Sequence, residues 1–501
     1  MAKSSSPHIY VRLAAPTLSA MEALAVRVSG VPVGYELRLD YLQDFAQFES
    51  RLHQMLARLH FPQTIATCRM AAVGGMMQGT LADQAKILTA AVRAGCQWVD
   101  IEVESVQKGG VALLRELRPA KVIVSYHDFQ KTSALAAVYR RLVRLPVRVI
   151  KIATQARGLR DNLRIRQLLQ AHRRRNPRLV ALAMGPSGIP SRLLSRLWGS
   201  AFTYAAPLNH SPAAEGRIPA EVMRSVYRVE RLESRTKLYG VVGSHVSISL
   251  SPAMQNAAFQ AKRVNAVFLP CQTSRLADFL TFARGLEMQG FAVTMPFKRS
   301  ILRALDWADP LAQRIGACNT VAVRRGRWLG WNTDAAAVVE VLSKRLRLAG
   351  SRILILGDGG AARAAAYAVR AEGAEVVIVA RRELIGRALA RGVGAQVVLW
   401  DSAESLEADA VINATPVGMF PQVDSAPIDL ARLRVRVVFD MVYYPPDTRF
   451  LNEARGRGLT TISGLEMLVA QGARQFEIWT GLAAPRALME QAVRSALGHA
   501  G

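Results

Sequence analysis

Lys151 stands inside "VIKIATQA" (149–156), a β-branched run that reads as a buried strand. An ammonium is rarely buried unless it is paired or put to use. Other polar residues gather at the ends of strand-like runs. Glu36, Arg38 and Asp40 alternate in "ELRLD" and so share one strand face. Arg69 ends "TIATCR", His127 and Asp128 end "IVSYHD", and Arg192 lies in "GIPSRL". Each alone reads as a strand-end charge meeting water. Together, a lysine, a histidine and several arginines suit imine chemistry on an anionic carbonyl compound. A lysine must be neutral to attack a carbonyl, and burial beside other cations is expected to favour that state. Histidine is the natural proton shuttle near neutral pH.

A second set of residues points to a dinucleotide. "ILILGDGGAARA" places Gly357, Gly359 and Ala362 in a G-x-G-x-x-A pattern between a strand-like and a helix-like run, with Gly360 and Ala361 also small. Small residues let the backbone approach a pyrophosphate, and the helix N-terminus offers it N–H donors. The next strand ends in "VARRE", with Arg381 and Arg382 where a ribose 2′-phosphate would lie. Arginine grips phosphate well, so NADP is expected, with Glu383 leaving some room for NAD. Lys298 and Asp334 would handle a proton beside such a cofactor if the fold brings them together.

These residues need scaffolds to hold them. At 501 residues the chain exceeds one core. Strand-like runs recur at "HIYVRLA", "YELRLDYL", "TIATCRM", "WVDIEVE", "KVIVSYHD", "VIKIATQA", "LVALAMG" and "AFTYAAP", most of them separated by helix-competent segments. That count predicts an N-terminal (β/α)8 TIM barrel, whose chemistry sits at the C-terminal ends of its strands. A charged connector follows, and a new α/β pattern begins near Thr236 and divides again near 345.

The formal net charge is +27, but the arginines are spread through the chain, and even "AHRRRNPR" lacks interleaved aromatics. We therefore expect solvated surface that steers anionic small molecules, and no nucleic-acid site. No apolar stretch is long enough for a bilayer, and the N-terminus lacks a signal-peptide core, so no membrane association is expected. Four scattered cysteines without metal spacing suggest a reducing cytoplasm and no metal.

The motifs "ELRLDYL", "TCR", "SYHDF", "IKIAT" and "SRL", in that order across roughly 7–220, resemble type I 3-dehydroquinate dehydratase. The resemblance implies that Lys151 forms a Schiff base with the substrate's C3 ketone and that His127 removes the C2 proton and assists loss of water. It further implies that Glu36, Arg38, Arg69 and Arg192 bind substrate. Two departures stand out. Val73 occupies the place of a glutamate that orients the histidine in the family, so one orienting partner for His127 is expected to be missing. The closing loop reads "AAEGR" (213–217) in place of S-A-P-G-Q, which puts Arg217 against the substrate.

From 237 to 499 the motifs "SISLSPAMQNAAF", "GFAVTMPFK", "GACNTV", "GWNTDAAA", "INATPVGM", "DMVYYP" and "SGLEMLVAQGARQFEIWTG" resemble shikimate dehydrogenase. That implies a two-lobed α/β unit with a Rossmann NADP-binding domain. Ser249 and Ser251 would bind the substrate carboxylate, and Thr294, Asn319, Asp334 and Gln471 its hydroxyls and ketone. Tyr443 would line the site, Lys298 and Asp334 would be the catalytic pair, and Gly464 would face the cofactor. Together the halves are similar to the bifunctional dehydroquinate dehydratase/shikimate dehydrogenase family of aromatic amino-acid biosynthesis. The expected domains are a barrel at 1–220, a linker at 221–236, a substrate domain at 237–344 completed by helices at about 466–499, and the NADP domain at 345–465. Two alternatives remain at this level: only the dehydrogenase half works, or the scaffold carries a basic nucleic-acid-binding or regulatory protein.

Overall fold

The computed structural model describes residues 7–28, 30–61, 63–207, 216–246, 249–400 and 406–498. Eight parallel strands form the first sheet: β1 (Ile9–Leu13), β2 (Gly34–Arg38), β3 (Thr64–Thr67), β4 (Trp98–Glu102), β5 (Lys121–Asp128), β6 (Val149–Gln155), β7 (Arg178–Met184) and β8 (Thr203–Ala205). Their order is β7-β6-β5-β4-β3-β2-β1-β8. The Ala201 N–H donates to the Leu179 carbonyl at 2.8 Å, tying the approach to β8 onto β7 and nearly closing the barrel. Burial on both faces is why these strands read as continuous apolar runs. Inside the ring, Tyr10, Ile65, Ile123, Val149, Val180 and Leu182 pack together. Helices follow most strands, as after β3, where Thr80 and Asp83 form a reciprocal capping box that starts Leu81–Arg93.

The chain divides into two compact units. The first reaches Thr236 and includes Pro270–Glu287, and the second holds most of the rest from Lys237 onward. Two further sheets follow the barrel. The strands of the first are β9 (Lys237–Gly243), β10 (Ala266–Gln272), β11 (Gly290–Val293), β12 (Trp307–Ala308), β13 (Thr320–Arg324) and β14 (Arg327–Trp331), in the order β10-β9-β11-β13-β14-β12. Helix Gly464–Thr480 returns to it, where the Trp479 indole N–H donates to the Val321 carbonyl at 2.9 Å and its ring packs near Tyr239.

The third sheet is wholly parallel: β15 (Arg352–Leu356), β16 (Glu375–Ala380), β17 (Gln396–Leu399), β18 (Ala410–Asn413), β19 (Val437–Asp440) and β20 (Thr460–Ile462). Their order, β17-β16-β15-β18-β19-β20, is the doubly wound 3-2-1-4-5-6 arrangement, with its switch point between β15 and β18. Ligands bind such sheets at the crevice beyond that point. Helix Gly360–Ala371 approaches the sheet closely because Ala362, Ala365 and Ala366, all fully buried, present only methyl groups to Ile355 and Ile378. Among the described residues, no helix is long and apolar enough to cross a membrane.

Candidate active sites

Lys151 lies on β6 and is 5% exposed. Its Nζ donates to Asp100 Oδ2 at 2.7 Å and to Glu36 Oε1 at 3.1 Å, and sits 4.0 Å from the centre of the Tyr204 ring. Strand register brings these groups together: Glu102, Ser125 and Lys151 are successive partners across β4, β5 and β6. Ser125 Oγ donates to Asp100 Oδ1 at 2.6 Å, and Arg69 Nη2 reaches that same oxygen at 3.3 Å. Burial works against ionising Asp100 and Glu36. Lys151 and the arginines outweigh it and hold both carboxyls below their ordinary range.

The sequence pattern surrounds Lys151 with cations, and here the structure corrects it. Two carboxylates touch the nitrogen, and Arg69 stands behind one of them. Activation therefore cannot rest on repulsion from neighbouring cations alone. Both carboxylates are held ionised, so they stabilise charge on this nitrogen and do not serve as its proton acceptors.

His127, at the C-terminal end of β5, has its value pushed well below 6.5 by burial and then by Arg69, Lys151 and Arg38. It is neutral at pH 7. Its ring stacks on Phe129, with centroids 5.8 Å apart and planes 17° from parallel. Phe129 in turn covers Gly74, where an added Cβ would meet the ring at 2.4 Å and where φ is +78°. Val73, in the 3-10 turn Ala71–Val73, offers no side-chain hydrogen bond. Among the described residues, packing against Phe129 is thus the side-chain restraint seen on the imidazole.

The remaining barrel residues divide into two sets. Arg38 directs Nε and Nη2 into its neighbour Asp40 at 2.8 and 2.7 Å, so it is already gripped by a carboxylate. Arg192 is pushed down to about 10 by burial, then by Arg217, with Arg12 also opposing, and it remains a cation at neutral pH. Buried Arg192 and half-buried Arg12 and Arg217 therefore form an anion-seeking group near Glu36. Residues 213–215 of the closing loop lie outside the described residues.

Sequence reasoning missed Arg12, Asp100, Ser125 and Tyr204. A signal existed for Asp100: "WVDIEVE" alternates acids on a buried strand much as "ELRLD" does. For Arg12 the signal is the one that marks Lys151, a charge inside an apolar strand-like run, "HIYVRLA".

In the second unit, Lys298 Nζ donates to Asp334 Oδ2 at 2.7 Å. Asp334 is the second residue of helix Thr333–Leu342, which is capped by Asn332. Asn319 Nδ2 donates to Asp334 Oδ1 at 2.7 Å, while its Oδ1 accepts from the Thr333 N–H at 2.8 Å. With its amide so occupied, Asn319 orients Asp334. Gln475, also missed, steadies this group by donating to the Asn319 carbonyl at 3.3 Å.

Ser249 Oγ accepts from the Ser251 N–H at 3.3 Å and hydrogen-bonds half-buried Tyr443. Thr294 is tied by its N–H to the Val242 carbonyl at 2.9 Å. Gln471 Nε2 donates to its own helix at the Leu468 carbonyl, 2.8 Å away.

The glycine loop fits a dinucleotide. Gly357 has φ +115°, a conformation other residues rarely adopt, and Gly359 has open space where a Cβ would be. Gly360 opens the helix, and a Cβ there would lie 3.5 Å from Lys298 Cδ, so the loop abuts the catalytic pair. Ala361 and Ala362 occupy its first turn. Gly464, by contrast, admits no side chain, since a Cβ would come 2.4 Å from the Val442 carbonyl oxygen; its smallness serves backbone packing. Arg381 and Arg382 are both exposed beyond β16, and Glu383 pairs with Arg387 one turn along its own helix. Among the described residues, no cluster of three or more acids, histidines or cysteines is placed to hold a metal.

A lysine-bearing barrel joined to a doubly wound dinucleotide fold defines an enzyme with two chemistries. Known proteins match both parts. The type I 3-dehydroquinase model matches residues 9–234. The shikimate dehydrogenase substrate binding domain matches 241–321, and the shikimate 5′-dehydrogenase C-terminal domain matches 464–494. The bifunctional 3-dehydroquinate dehydratase/shikimate dehydrogenase, chloroplastic, of Arabidopsis thaliana is 32% identical over 481 residues, covering 91% of this chain and 79% of that protein. A shikimate dehydrogenase (NADP(+)) of Moorella thermoacetica is 41% identical over 284 residues, covering 54% of this chain and 96% of that protein. The chain belongs to the bifunctional 3-dehydroquinate dehydratase/shikimate dehydrogenase family.

Proposed function

We propose that this chain dehydrates 3-dehydroquinate to 3-dehydroshikimate in its barrel and reduces that product to shikimate with NADPH in its second unit. The observation that carries this reading is the presence in one chain of two different lysine–carboxylate pairs. Lys151 is clamped beside His127 inside a barrel, and Lys298 is paired with Asp334 beside an open glycine loop.

In the barrel, Lys151 gives up its proton to solvent, and the free amine adds to the C3 ketone. Loss of water leaves an iminium, which acidifies C2. Neutral His127 takes the C2 proton and delivers it to the departing C1 hydroxyl, so a second water leaves. Hydrolysis of the iminium then releases the product and restores Lys151. Arg12, Arg192 and Arg217 hold the carboxylate, with Arg38 and Arg69 orienting Asp40 and Asp100 in support.

In the second unit, NADPH when bound supplies hydride to the ketone carbon. Lys298 and Asp334 place a proton at the ketone oxygen, Asn319 fixes Asp334, and Ser249, Ser251 and Tyr443 take the carboxylate end. Thr294 and Gln471 complete the substrate side. Gly357, Gly359 and Gly360 leave room for the pyrophosphate, and Arg381 and Arg382 suit the 2′-phosphate. Four buried thiols with no disulfide between them support a reducing compartment, for which we take the cytoplasm.

The direct test gives the purified chain 3-dehydroquinate alone and follows the enone absorbance, then adds NADPH and follows the nicotinamide absorbance. A rise in the first followed by a fall in the second is expected. A fall in the second only when 3-dehydroshikimate is supplied would reduce the chain to its dehydrogenase half.

Two narrower outcomes follow from the sites. Because the folded value of His127 is depressed, the base is present above that value and lost as pH falls through it. Dehydratase kcat/KM should therefore hold as pH drops through 6.5 and fail only well below it. An acid limb centred on 6.5 would assign the base to an exposed imidazole instead. Replacing Arg381 and Arg382 together with alanine should raise KM for NADPH while leaving that for NADH little changed. Removing each charge-assisted hydrogen bond to the phosphate should cost roughly 1.5–3 kcal/mol. Equal effects on both cofactors would show that neither arginine reads the 2′-phosphate.

A further inference from the structure

The glycine loop contains a residue that a dinucleotide should not favour. Asp358 stands between Gly357 and Gly359, at the turn leading into helix Gly360–Ala371. The N–H groups and dipole at a helix start attract anions, and a dinucleotide brings phosphates there. A carboxylate in that turn opposes the same ligand.

The structure places a counter-charge on it. Arg382 Nε donates to Asp358 Oδ2 at 3.1 Å, and Arg382 Nη2 contacts Oδ1, so the fork is bidentate. The Asp358 side chain is 9% exposed and that of Arg382 58%. The acid is therefore enclosed and the arginine remains reachable from solvent. Arg381, the next residue back, is exposed and has no carboxylate within ion-pair distance among the described residues. The two arginines at this strand end are thus not equivalent: Arg382 already has an anionic partner.

We propose that Asp358 is a specificity-determining residue that weakens the preference for NADP over NAD by competing with the 2′-phosphate for Arg382. The inference rests on the NADP reading above and deepens it. A 2′-phosphate that engages Arg382 must share the guanidinium with Asp358 and come to rest beside an enclosed carboxylate. A 2′-hydroxyl makes no such demand. Arg381 supplies the attraction common to all NADP binding here, and the Asp358–Arg382 pair subtracts from what the second arginine would add.

The test is equilibrium binding of NADP+ and NAD+ to the full chain by titration calorimetry, without turnover. Asp358→Asn keeps the side chain's shape and removes its charge. It should tighten NADP+ about fivefold more than it tightens NAD+, as expected for a partly screened pair. In an Arg382→Ala background the same substitution should change the ratio of the two dissociation constants little, since the contested partner is gone. Asp358→Ala should reproduce the gain if charge is the cause.

An unchanged ratio in Asp358→Asn would overturn this inference while leaving the NADP reading intact. Weaker NADP+ binding would also overturn it, because Asp358 would then be positioning Arg382 for the phosphate. So would an equal gain in the Arg382→Ala background. Failure of the unaltered chain to bind NADP+ would overturn both readings.

Discussion

Lys151→Ala is expected to abolish dehydration of 3-dehydroquinate, a loss of about 10⁴-fold or more, because the variant has no amine to form the imine. The dehydrogenase should keep its rate, since its residues belong to a separate compact unit. Borohydride added with 3-dehydroquinate should fix ligand mass on the tryptic peptide holding Lys151 and on no other. The variant should show no such adduct. The substitution also leaves Asp100 and Glu36 buried without their shared cation, which is destabilising. Lys151→Met, which fills the space, separates loss of chemistry from loss of folding, and retention of dehydrogenase activity serves as an internal check. Mass on another lysine, or dehydration surviving in both variants, would remove Lys151 from the role given to it.

The second large effect concerns the other lysine. Lys298→Ala should lower the dehydrogenase kcat by about 10²–10⁴-fold, the range for losing a positioned proton donor. KM for shikimate should move far less if Lys298 acts mainly on the transition state. Asp334→Asn removes the charge that holds Lys298 at 2.7 Å but keeps an oxygen and an amide in place. It should fall within the same range, and combining it with Lys298→Ala should add little, because the two residues act as one unit. Dehydratase activity provides the control in each case. A fully additive double variant, or a change confined to KM, would mean that the pair binds substrate without handling the proton.

The elements of both units were legible because they depend on local pattern. Eight apolar runs alternating with helical segments specify a barrel whatever fills it, and a glycine turn between a strand and an alanine-rich helix specifies a dinucleotide fold. Lys151 was visible for the same reason: a charge inside "VIKIATQA" is anomalous without reference to anything distant. Which residues would touch its nitrogen was not visible. Asp100 is 51 positions from Lys151 and Glu36 is 115, and only the register and curvature of the closed sheet bring them to one nitrogen. That is why cations were expected where carboxylates stand. Arg382 shows the same limit on a smaller scale. Its place at the end of β16 was readable from sequence, but its partner Asp358, 24 residues earlier, becomes its neighbour only when β15 and β16 pair in parallel. Local sequence determines which backbone forms. The tertiary structure decides which charges meet, because pairing between side chains depends on distances that no local pattern encodes.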